Sequence, residues 1–158
     1  MRAQGDRAGQ YTLSAAQLLQ IYLWAAMALL LVQGSGSLLL RLRPDLEAAT
    51  PWLLATLMNG DMRHALLHIS WGAFGLVYLA IQRTVRARLW LAFAFGVFYV
   101  SLGLLALVVY HPFGLRLELP ENVFHLTVGP LMLLLAFFAW RSPEMLVWPA
   151  LLKRLKPS

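Results

Sequence analysis

The chain has 158 residues, 60% of them hydrophobic and only 13% charged, with no cysteine and a formal net charge of +6. A soluble domain averages about 45–50% apolar and about 25% charged residues, so this chain has too little polar surface for an ordinary cytoplasmic enzyme. The missing cysteines exclude a disulfide framework, a thiolate metal site and a cysteine nucleophile. The basic residues fall between apolar runs instead of forming one patch, which points to a lipid bilayer and away from nucleic acid.

A spanning helix needs about 20 mostly apolar residues at about 1.5 Å each. Four stretches qualify: residues 11–33, 64–82, 89–110 and 122–140. Gly34-Ser35-Gly36 is expected to break the first helix. Arg2 and Arg7 precede it as in a signal peptide, but its apolar stretch exceeds the usual 7–15 residues or so, and a retained helix is expected.

The piece 51–58 is too short to cross. Thr50 is placed to cap it, Pro51 suits a first helical position and Asn59-Gly60 ends it, so an interfacial or re-entrant segment is expected. After the fourth span, Ser142-Pro143-Glu144 opens a second such segment over 143–156. There Met145, Leu146, Trp148 and Leu151 mix with Lys153, Arg154 and Lys156. It reads as an amphipathic surface segment, or else as a frayed basic tail.

The N-terminus, the Arg83/Arg86/Arg88 loop and the C-terminal tail hold nine Lys and Arg against two acids, Asp6 and Glu144. The other two loops hold four against five. The positive-inside rule therefore places both termini in the cytoplasm, with Trp90, Tyr110 and Trp140 at span ends where aromatic belts lie. The expected fold is all-α and integral to the membrane: a single domain over 1–158, with four transmembrane helices as two tandem hairpins.

An internal repeat supports the hairpins. Leu66-Leu67-His68-Ile69-Ser70-Trp71-Gly72 is similar to Val123-Phe124-His125-Leu126-Thr127-Val128-Gly129, each opening a span from the outer side. The run Asn122-Val123-Phe124-His125-Leu126-Thr127-Val128-Gly129 resembles the signature Asn-x-x-His-Leu-x-x-Gly of a bacterial family of small four-helix membrane proteins, a domain of unknown function. In that family the signature often recurs in both hairpins. The first hairpin departs from it, with Ala65 in place of Asn and Ile69 in place of Leu. The resemblance covers about residues 18–140. It implies a four-helix fold and a bacterial plasma membrane, and supplies no reaction.

No Asp, Glu, Lys or Arg lies inside the four stretches, which argues against a proton pump, a coupled transporter and an intramembrane acid protease. Histidines are the remaining reactive groups. His64 and His68 share a helix face, His111 ends the third span, and His125 matches His68 in depth. Each of His68 and His125 has a glycine four residues on, Gly72 or Gly129. One reading is axial ligation of a haem or chlorophyll-type pigment by His68 and His125. The glycines would then leave room for the macrocycle, and Phe74, Phe95, Phe98 and Phe124 would line it. The other reading is structural: small residues let helices approach, and a polar side chain such as Asn122 or His125 bonds across the interface. Ala92 and Gly96 fit the same small-xxx-small pattern. An external metal cluster of His64, His111, Glu118 and Glu121 matches no dedicated motif, and no metal site is expected.

The first expectation for function is a non-enzymatic multi-pass protein acting by helix packing, as an accessory or stabilising subunit of a larger membrane complex. Its neighbours would be the lipid bilayer and partner subunits or further copies of itself, with no cofactor. The alternative is a small haem- or chlorophyll-binding protein using His68 and His125.

Overall fold

The computed structural model describes residues 13–52, 61–109 and 111–142, and all regular structure among them is helical. Four helices are long and apolar enough to cross a membrane: α1 (Ala15–Leu42), α3 (Met62–Ile81), α4 (Val85–Ala106) and α5 (Leu119–Trp140). A short helix α2 (Pro44–Ala49) follows α1, and a single 3-10 turn, Pro112–Gly114, stands between α4 and α5. The interfacial segment expected at 143–156 lies outside the described residues, as do most of 51–58 and Tyr110.

Local chemistry sets the ends of these helices. Ser14 opens α1 with a capping box: its hydroxyl accepts from the Gln17 amide at 3.3 Å, and the Gln17 side chain accepts from the Ser14 amide at 2.9 Å. Asp61 caps α3 by accepting from the Arg63 amide, and Thr84 caps α4 by accepting from the Ala87 amide. The Thr84 cap lets α4 start a turn earlier than the apolar run, with Arg86 and Arg88 in its first turns. Arg88 reaches Gln20 on α1 with its guanidinium, at 2.8 Å. Helix α4 also ends earlier than expected, at Ala106. Thr50 closes α2 by donating its hydroxyl to the Leu46 carbonyl, while Pro51 and Trp52 beyond it are again helical.

Helix α1 corrects one expectation. It runs through Gly34-Ser35-Gly36 without a break and reaches Leu42, 28 residues in all. That length is about 42 Å, more than the roughly 30 Å hydrocarbon core. Gly34 serves close packing rather than termination. A Cβ there would stand 2.6 Å from the Ala65 carbonyl oxygen and 2.9 Å from the Ile69 amide nitrogen, so α3 lies directly on α1 at this level. One turn away, a Cβ on Gly72 would meet the Leu31 amide nitrogen at 2.6 Å. Helices α1 and α3 therefore cross backbone to backbone.

Helices α4 and α5 pair in the same manner, through Gly96 and Gly129, and α1 also packs along α5. Between α3 and α4 the gap is wider and filled by rings: Trp71 stands edge-on to Phe95 at 5.5 Å and tilted against Phe98 at 5.4 Å. The core runs between the helices through Leu19, Leu23, Met27, Phe95, Tyr99 and Met132, each fully or almost fully buried. Pro130 sits within α5 on its exposed face, where its missing amide interrupts the helix ladder toward Leu126.

Candidate functional site: a buried three-histidine cluster

Three of the four histidines come together inside the bundle. His64 and His68 are four residues apart, one above the other on α3, and His125 comes from α5. Their exposures are 1%, 3% and 0%, so solvent reaches none of them. The ring centres of His64 and His68 are 4.2 Å apart, those of His64 and His125 5.4 Å, and those of His68 and His125 6.2 Å. Each ring offers one nitrogen to a group whose members lie within 4.8 Å of one another.

Aromatic residues wall the cluster. Tyr99 of α4 stands edge-on to His125 at 5.0 Å, lies parallel to His68 at 6.1 Å, and is itself stacked on Phe95 at 4.3 Å. Phe124 flanks His68 and His125 at 6.0 and 5.9 Å. On the loop side, Leu115 and Leu117 are buried against Leu102 of α4, with Leu67 of α3 packed beside them. The loop is fastened by Asp61, whose second carboxylate oxygen accepts from the Arg116 amide at 2.9 Å. Gly114, at φ 74, takes the left-handed conformation that turns the chain back over the helix ends.

The polar atoms of this pocket are poorly served by the described protein. The Nε2 of His68, both ring nitrogens of His125, the Asn122 carbonyl oxygen and the Tyr99 hydroxyl are buried and meet no hydrogen-bonding group. A neutral imidazole carries one donor and one acceptor, and leaving either unsatisfied inside a protein costs about 1–3 kcal/mol. The packing reading has Asn122 and His125 bond within α5 or to a neighbouring helix, and among the described residues the Asn122 oxygen and the His125 nitrogens form no such bond.

His68 and His125 thus meet as the sequence suggested, although α3 and α5 are not the closest-packed helix pair. The space assigned to a macrocycle is otherwise used. Gly72 is filled by α1, and Gly129 by Val100 and Gly96 of α4. Phe124 does flank the cluster, Phe95 and Phe98 pack on Tyr99 behind it, and Phe74 is 57% exposed and faces outward. His111, Glu118 and Glu121 do not belong to the grouped ligands, and His111 and Glu118 are exposed on the loop. The spacing placed His64 on the helix face of His68 but left it out of the ligand pair, and the structure adds it to the group. Its spacing from His68 is that of the two histidines of a helical metal-binding pair, and this was the available signal.

No family model matches the sequence, and neither a curated protein nor a solved structure shows significant similarity to it.

Proposed function

We propose that the chain is a non-enzymatic multi-pass protein of a bacterial plasma membrane, built as two tandem hairpins with both termini in the cytoplasm. In this reading it works by helix packing as an accessory or stabilising subunit of a larger membrane complex. The observation that carries the reading is the division of side chains between inside and outside. The interior is closed by the chain's own residues, while Trp24, Val32, Phe74, Phe93, Leu134 and Phe138 stand well exposed along the four long helices. Such faces are met equally well by lipid or by partner helices. The close packing of α1 on α3 and of α4 on α5 supports the hairpins, and the excess of Lys and Arg beside the termini supports their cytoplasmic placement.

The test is extraction from the native membrane in a mild detergent, after in-membrane cross-linking. The reading predicts a stoichiometric membrane partner whose abundance falls when this chain is deleted. A chain that migrates alone before and after cross-linking, with no membrane complex altered by its loss, contradicts it.

A further inference from the structure

We infer that His64, His68 and His125 form a binding site for a single late first-row transition-metal ion. This inference is independent of the accessory role. It stands on three observations: the convergence of three imidazoles from two helices, their burial, and the absence, among the described residues, of hydrogen bonds to His68 Nε2 and to both nitrogens of His125.

The distances suit one ion. A ring nitrogen binds such a metal at about 2.0–2.1 Å, which puts the imidazole centre about 3.1 Å away. Three rings around one tetrahedral ion then stand about 5 Å apart, centre to centre. The observed 4.2, 5.4 and 6.2 Å straddle that value. The ligating nitrogens of such a site are about 3.4 Å apart, and here they lie within 4.8 Å, so side-chain rotations of about an ångström close the site. The pattern of two histidines at i and i+4 on one helix with a third from a facing helix is a natural chelate, because α3 fixes two of the three ligands relative to each other.

The donor set also selects the ion. Three imidazoles suit zinc, copper, iron and nickel, and poorly suit calcium or magnesium. No carboxylate belongs to the group, although the charge of the Asp61 carboxylate reaches His64, and Tyr99 and Phe124 stand against the rings. Three imidazoles serve zinc(II) and copper(I) alike. Asn122 lies three residues before His125 on the same face of α5, and its free carbonyl oxygen is a suitable acceptor for a ligand's second ring N–H. The cluster sits within about two turns of the start of α3 and α5, at the end of the bundle that carries the 111–118 loop.

The experiment uses the full chain without a histidine tag, purified in detergent and titrated separately with zinc(II) and, under reductant and without oxygen, with copper(I). X-ray absorption is then recorded on the loaded protein. The site predicts one equivalent bound with a dissociation constant below about 1 μM, and a first shell containing three imidazoles. It predicts that His68→Gln and His125→Gln each weaken binding by about 100-fold or more, while His111→Gln changes nothing. The imidazole count is read on the unaltered chain and needs no variant to fold. Failure of both metals to bind below about 10 μM overturns the inference. So does binding that survives both substitutions, or a tetrapyrrole absorption band that co-purifies with the chain and depends on His68 and His125.

Discussion

Gly96 and Gly129 face each other where α4 crosses α5. A Cβ on Gly96 would stand 3.1 Å from the Gly129 carbonyl oxygen, and one on Gly129 would stand 3.2 Å from the Gly96 carbonyl oxygen. The α1–α3 crossing is built in the same way at Gly34 and Gly72, where the contacted atoms include backbone atoms of Ala65, Ile69, Leu31 and Met27. These glycines bring the helices close enough for His68 and His125, each four residues before one of them, to be enclosed.

Not every glycine is equally strict. Gly72→Ala forces the methyl group against the Leu31 and Met27 backbone, which cannot step aside without moving the helix. Overpacking of this kind costs about 1–3 kcal/mol, only partly offset by the better helix propensity of alanine, about 0.5–1 kcal/mol. Gly103→Ala meets chiefly the end of the Leu126 side chain, which can rotate. Thermal unfolding in detergent should show Gly72→Ala clearly less stable than Gly103→Ala. Equal midpoints would mean that the α1–α3 crossing is looser than described.

Asp61 joins the start of α3, through the Arg63 amide, to the 111–118 loop, through the amide of Arg116, which lies 55 positions beyond Asp61. Asp61→Ala removes both and should cost about 1–2 kcal/mol. Hydrogen exchange at the Arg116 amide should accelerate in the same variant. An unchanged Arg116 exchange rate would detach the loop from Asp61. Asp61→Asn, which can still cap a helix, should recover most of the α3 contribution.

The absence of cysteine gives a clean background for topology. Arg83 and Glu118 are both exposed and lie at opposite ends of the unit formed by α4 and α5. In intact spheroplasts, a membrane-impermeant maleimide should label Glu118→Cys at once and Arg83→Cys only after lysis. Labelling of both from outside would contradict the orientation inferred from the basic residues.

The four long helices were legible because their signal is local: an apolar run of spanning length needs no knowledge of neighbours. Helix ends were less legible. The Thr84 cap carries α4 back across Arg86 and Arg88, whose charge made them look like loop. Gly34 and Gly36 misled because a glycine that ends a helix and one that lets another helix touch it are the same residue in a sequence. Close packing at Gly96 was foreseen from its spacing to Ala92, which is itself fully buried. The histidine cluster was half legible. The pairing of His68 with His125 followed from their matched depth. The membership of His64 and the outward turn of Phe74 depend on how α3 is rotated against α1, which is set by tertiary contacts at Gly34 and Gly72.

Everything proposed for the site depends on three histidines from the second and fourth long helices sharing one enclosed space. The chain has only four histidines, so ring-selective isotope labelling and nuclear Overhauser spectroscopy of the detergent-solubilised protein read this directly. The account predicts ring-to-ring contacts linking His64, His68 and His125, with His111 isolated from all three. A His125 ring that shows no contact with either His64 or His68 would contradict it.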